Sequence, residues 1–200
     1  AELHCLSNFS FLRGASHPEE LVERAAALGY RALALTDECS LAGVVRAHTA
    51  AKEHGLQLIV GTEIRIEQEK LVLLATDRRS YGAISSLITT GRRRGKKGSY
   101  SLCRSDVEQL AGTGALALWM PQDESFALYF KNLFPETGWI AVELHCGAGD
   151  RAKLEQLRGL SARYGLPLVA AGDVHMHLRS RRKLQDVLAA TRLGRTVAEC

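Results

Sequence analysis

Short apolar runs alternate with amphipathic segments along the whole of this 200-residue chain, and that alternation restricts the fold more than any other feature. Ala1–Cys5, Arg31–Leu35, Leu56–Gly61, Ala115–Trp119, Trp139–Leu144 and Leu166–Ala171 have strand length and are bounded by turn or helix signals. Helical patterns begin at Pro18 and fill Leu41–His54, Arg79–Thr90, Glu124–Leu133, Asp150–Tyr164 and Arg181–Thr191. Gly29, Gly55 and Gly165 follow three of them, where a left-handed residue commonly ends a helix. Ser16-x-x-Glu19 and Ser105-x-x-Glu108 have capping-box spacing. Glu63–Gln68 and Lys70–Ala75 read as a hairpin or paired extended segments. The series predicts an α/β fold with mainly parallel strands. Its six or seven β–α units close into a barrel or wind into an open sheet.

A 46% hydrophobic, 24% charged composition excludes a disordered chain, and the length suits one domain around one core. No apolar run approaches the ~18 residues of a membrane span, and no signal peptide opens the chain, so no membrane partner is expected. Five cysteines without a CxxC pair favour free thiols and a reducing cytoplasm. The chain starts within a strand and ends just after a helix, as expected of a single domain, residues 1–200, cut from the N-terminus of a longer protein. A net charge of +4 is no nucleic-acid footprint, but basicity is local. Arg92, Arg93, Arg94, Lys96 and Lys97 fall in a glycine-punctuated stretch read as a loop, either a contact for DNA phosphates or solvated surface. Its spacing misses the GxxxxGK[ST] pattern of a P-loop.

The chemistry gathers at strand ends. Leu166–Ala171 runs into Gly172-Asp173-Val174-His175, an acid and an imidazole two residues apart. His4, Asp37-Glu38, Glu63, and Glu143 with His145 end earlier strands. In a barrel such ends converge on one mouth, and carboxylates with imidazoles suit a divalent ion. Other readings compete. Asp173 and His175 can bond each other, and Glu63 can pair with Lys70 or Arg13. Cys5, Cys39, His145 and Cys146 are substitute ligands or, for buried thiols, small hydrophobes. His177, His17, His48 and His54 read as surface residues.

Whole segments carry a resemblance. ELHCLSNFSFLRG (Glu2–Gly14), AALGYRALALTDECSLAG (Ala26–Gly43), AKEHGLQLIVGTE (Ala51–Glu63), LVLLATDRRSY (Leu71–Tyr81) and GLPLVAAGDVH (Gly165–His175) occur in that order. Together they resemble the polymerase and histidinol phosphatase (PHP) superfamily over essentially the whole chain. SNFSFLRGASHPEEL and TDECSLAGV resemble most the error-prone, DnaE-type branch of the bacterial DNA polymerase III alpha-subunit family. The resemblance implies a distorted (β/α)7 barrel of TIM-like type holding up to three metal ions. For the longer protein it implies template-directed nucleotidyl transfer with Mg²⁺ in damage-induced mutagenesis and translesion synthesis, in the cytoplasm. Its partners would be DNA, the polymerase core of the same chain, and other translesion-synthesis proteins.

Departures from the family pattern bear on the metal. Its opening H-x-H is His4 followed by Leu6, its next acidic position is Arg13, and its Asp-His is Asp37-Glu38. Lys70 replaces a histidine before the LVLLA strand, a cysteine position falls near Pro121, and another histidine position falls at Gly147. His4, Asp37, Glu38, Glu63, Asp173 and His175 remain as candidate ligands for one residual Zn²⁺ or Mn²⁺. A leucine offers no lone pair, and Arg13 and Lys70 put positive charge where a dication belongs. The expectation is a mainly structural domain with a degenerate site. An active metal-dependent phosphoesterase or 3′–5′ exonuclease, and a free-standing small-phosphoester phosphatase, are the alternatives.

Overall fold

The computed structural model describes residues 1–200 as two compact units, Ala1–Val60 with Asp173–Cys200, and Gly61–Gly172. In the first, β1 (Glu2–Cys5), β2 (Ala32–Leu35) and the opening residues of β3 (Gln57–Ile66) pair in parallel in that order. Helices α1 (Pro18–Ala27) and α2 (Val44–His54) cover them. Leu21, Val22 and Ala25 of α1 and Ala47, Ala50 and Ala51 of α2 recur at three- and four-residue spacing, and all are buried with Leu33, Leu35 and Leu56. Val174 bridges Cys5, with Leu6 N donating to Val174 O at 2.8 Å and Val174 N to His4 O at 2.9 Å. The last helix, α7 (Arg182–Leu193), also belongs to this unit.

In the second unit, the remainder of β3 turns back antiparallel into β4 (Glu69–Leu74), from Ile66↔Glu69 to Gly61↔Leu74. The expected hairpin is therefore present, and its first arm is continuous with the third strand. β5 (Leu116–Met120) runs antiparallel to β4, and β6 (Gly138–Val142) and β7 (Leu168–Ala170) follow in parallel. Four helices accompany them: α3 (Arg78–Arg94), α4 (Arg104–Glu108), α5 (Ala127–Leu133) and α6 (Asp150–Tyr164). A 3₁₀ turn at Glu124–Phe126 precedes α5, where one helix was expected. The core centres on Trp119, whose ring lies 5.7 Å from that of Phe126 and 5.5 Å from that of Phe130. Glu69, almost wholly buried, accepts from Trp119 Nε1 (2.6 Å), Asp123 N (2.8 Å) and Gln122 N (3.1 Å).

Three local expectations need correction. Helix α1 is capped one residue late: Glu20 accepts from the His17 amide at 2.8 Å, while Ser16 Oγ lies 2.8 Å from His177 Nδ1. Cys103 caps α4, its amide donating to Asp106 at 2.8 Å, so Ser105 and Glu108 form no box. The basic stretch is not all loop, because Arg92–Arg94 form the last turn of α3. Gly91 looks like a loop glycine but is a packing glycine: a Cβ there would lie 2.9 Å from Leu102. Arg94 grips Asp106 at 2.5 and 3.0 Å, and Arg92 stacks 5.4 Å from the Tyr100 ring centre.

The Arg94 guanidinium holds the Asp106 carboxyl well below the usual range, helped by the Cys103 amide against partial burial. A depressed carboxylate stabilises the fold above its unfolded pKa of ~3.9 and loses that contribution as pH falls through the folded value. Asp106→Asn should cost about 1 kcal/mol at pH 7, discounted because Arg94 is half exposed. The gap from the unmutated chain should narrow below pH ~4 in acid-titrated denaturation. A gap that widens in acid would contradict the pairing.

Candidate metal centre

The first unit gathers three of the expected ligands. β1 presents His4, fully buried, with Nδ1 3.4 Å from Asp173 Oδ1. His175 Nε2 lies 3.1 Å from the same oxygen. Gln185 of α7 lies 3.3 Å from His175 Nδ1 and donates to the Arg13 carbonyl at 2.7 Å. With Gln185 donating to Nδ1, Nε2 carries the ring proton and donates to Asp173. Asp173 has φ +49°, a left-handed conformation that aspartate tolerates better than most residues, and Val174 is pinned to β1 beside it. Strain of this kind gathers at functional positions.

Asp37 and Glu38 are engaged elsewhere. Asp37 is buried; Oδ1 accepts from Ser7 N (2.8 Å) and Ser10 Oγ (2.6 Å), and Oδ2 from Ser7 Oγ (2.7 Å). Burial pushes its carboxyl pKa up, and the serine bonds only partly oppose this. Asp37 thus organises the Ser7–Ser10 turn. That turn also needs Gly14, where a Cβ would sit 2.1 Å from the Ser7 carbonyl oxygen. Glu38 is paired with Arg13 Nη1 at 2.7 Å. Leu6 is fully buried, Cys5 and Cys39 are buried, and burial raises the Cys5 thiol well above its ordinary range, against a thiolate ligand.

Glu63 lies in the second unit, fully buried, with Lys70 Nζ 3.9 Å away. Lys70 also stands 3.8 Å from buried Glu143. His145 and Cys146 are exposed. His17, His48 and His54 are exposed as expected, but His177 is half-buried against Ser16 and is not a surface residue. Ser7, Ser10 and Gln185 went unflagged, since nothing in their local sequence separates them from ordinary loop and helix residues.

His4 Nδ1 and Asp173 Oδ1, 3.4 Å apart, are spaced to share one cation held at ~2.0–2.2 Å, whereas His175 Nε2 is hydrogen-bonded to that same oxygen at 3.1 Å.

Buried imidazole and carboxylate thus stand at the ends of strands in an α/β sheet. Residues 2–140 match the PHP domain family, and the chain belongs to that family. It is 58% identical over 207 residues to the error-prone DNA polymerase of Dechloromonas aromatica, covering all of this chain and 20% of that protein. It is 57% identical over 203 residues to the error-prone DNA polymerase of Methylococcus capsulatus, covering all of this chain and 19% of that protein. The chain therefore spans about a fifth of the length of these relatives. A solved structure assigned as a metal-dependent phosphoesterase from Bifidobacterium adolescentis superposes with a TM-score of 0.65 at 19% identity, covering 97% of this chain and 98% of that one. That likeness shows the fold, the distorted α/β barrel of the PHP family. No helix is long and apolar enough to cross a membrane.

Proposed function

We propose that this chain is the N-terminal PHP domain of an error-prone DNA polymerase used for translesion synthesis in damage-induced mutagenesis, in the cytoplasm. In that protein it supports the polymerase core, while its own metal centre is decayed. Identity of 57–58% across the whole chain to proteins named error-prone DNA polymerase supports the assignment. The observation that carries the decay is the pair of cations at ligand positions, Arg13 on Glu38 and Lys70 on Glu63. Multi-ion hydrolysis needs metal ions to bind water and lower its pKa to give a hydroxide, and a lysine or arginine offers no coordination site for that water. His4 and Asp173 are the first-unit residues that would hold a single Zn²⁺ or Mn²⁺, with His175 hydrogen-bonded to the aspartate. Mg²⁺-dependent nucleotidyl transfer belongs to the rest of the polymerase.

DNA is the proposed partner of the longer protein. Arg93, Lys96 and Lys97 carry exposed side chains and remain candidates for phosphate contact, whereas Arg94 and Arg92 are committed to Asp106 and Tyr100. An active phosphoesterase is the second reading, favoured by the buried His4 beside Asp173. The chain should neither extend a primed template nor hydrolyse single-stranded DNA with added Mn²⁺ or Zn²⁺. Hydrolysis that survives repurification and is lost in His4→Ala would establish the second reading in place of the first.

A further inference from the structure

Alternation along the second unit's strands sorts its residues between two faces. Ile64, Ile66, Leu71, Leu73, Ala117 and Trp119 belong to the aromatic core. Glu63, Arg65, Lys70, Val72, Leu118 and Met120 therefore share the opposite face, Arg65 with its side chain exposed. Val72, Leu118 and Met120 are no more than 5% exposed, so Glu63 and Lys70 have buried apolar neighbours on this face. Glu63 pairs across the ladder with Val72 and Lys70 with Arg65, which makes Glu63 and Lys70 diagonal neighbours within reach of a long side chain. Glu143, one residue past β6, brings a second carboxylate to the same ammonium. The three side chains are 0%, 14% and 6% exposed, in the order Glu63, Lys70, Glu143.

We propose that Lys70 is the resident cation of a Glu63–Glu143 carboxylate pair. Its ammonium takes the place of a divalent ion, so this part of the domain is folded and charge-compensated without metal. The inference rests on the decayed-site reading and extends it: the lysine substitutes for metal structurally as well as excluding it. Two buried carboxylates with no cation between them are strongly unfavourable, and a hard dication is the other species that can relieve them. Removing the ammonium while keeping the stem should turn a metal-indifferent domain into a cation-responsive one.

The test is thermal unfolding of the chain with Lys70→Met, in EDTA and then in millimolar Mn²⁺. In EDTA the variant should melt about 10 °C below the unmutated chain, as expected when one partner of a buried ion group is removed. Mn²⁺ should recover much of that loss while leaving the unmutated chain unmoved, and Glu143→Gln in the Lys70→Met background should abolish the recovery. Adding Glu63→Gln to Lys70→Met should raise the melting temperature in EDTA. Should Lys70→Met not fold, the triple variant Glu63→Gln/Lys70→Met/Glu143→Gln decides. Folding of the triple supports the charge argument, and its failure makes Lys70 a packing residue and overturns the proposal. An unchanged melting temperature for Lys70→Met, or an equal Mn²⁺ response in both chains, overturns it as well. Several tightly held ions in the unmutated chain would instead defeat the decayed-site reading beneath it.

Discussion

Glu69→Ala should lower the unfolding temperature by about 10 °C, more than any ordinary surface substitution. One carboxylate at the start of β4 receives the Trp119 indole and the amides of Gln122 and Asp123. Removing it strands a buried N–H in the aromatic core and frees the chain that leaves β5. Each unsatisfied buried donor costs about 1–3 kcal/mol, and bonds to a charged acceptor lie at the upper end. Gln122 and Asp123 are exposed, so water replaces part of what their amides lose, and a total of about 3 kcal/mol follows. Glu69→Gln, which keeps an acceptor at the same reach, should recover about half. Trp119→Phe keeps the ring contacts and removes the donor, so Glu69→Ala should cost less in that background than alone. Thermal denaturation of the four proteins forms the cycle, and strict additivity would mean that the indole–carboxylate bond contributes nothing.

The second large effect concerns metal. Elemental analysis after dialysis against Zn²⁺ or Mn²⁺ should find at most one ion per unmutated chain. Leu6→His, Arg13→Asp, Glu38→His and Lys70→His together should raise uptake to two or more, because two opposing cations leave as three imidazoles and a carboxylate arrive. Leu6→His alone should change little, since Arg13 still holds Glu38 at 2.7 Å and Lys70 still stands at Glu63. Three ions in the unmutated chain, with rapid hydrolysis of single-stranded DNA, would sink the decayed-site reading.

Much of the fold was legible because its signals are local. Helix α6 runs from Asp150 to Tyr164 as its periodicity and the closing Gly165, at φ +63°, predict. Local signals failed where a neighbour competed for the same role. Glu20 took the cap that Ser16-x-x-Glu19 suggested, and Asp106 took the one suggested by Ser105-x-x-Glu108. Gly91 reads as a stop in sequence, and only the approach of Leu102 explains it as part of a helix. β3 was read as ending at Gly61, yet it continues to Ile66, since its ladder partner in β4 carries the strand through the glycine.

At the site, positive charge at Arg13 and Lys70 was readable, and the choice of partners was not. Glu63 had two candidate cations; it meets Lys70, and Arg13 goes to Glu38. The use of Asp37 by Ser7 and Ser10, and of His175 by Gln185, depends on contacts between residues remote or unremarkable in sequence.

The first unit is discontinuous in the chain, whereas the second is a single uninterrupted stretch. A ribosome delivers residues in order, and domains tend to fold as their last residues emerge. Gly61–Gly172 can therefore settle while the first unit still waits for Val174 to join β1. His4 meets Asp173 and His175 only at that final closure, across nearly the whole sequence, and such non-local pairing is slow. The histidine–aspartate cluster is thus a late product of synthesis. A chain broken off before Gly172 would hold most of the second unit and, of that cluster, His4 without its partners.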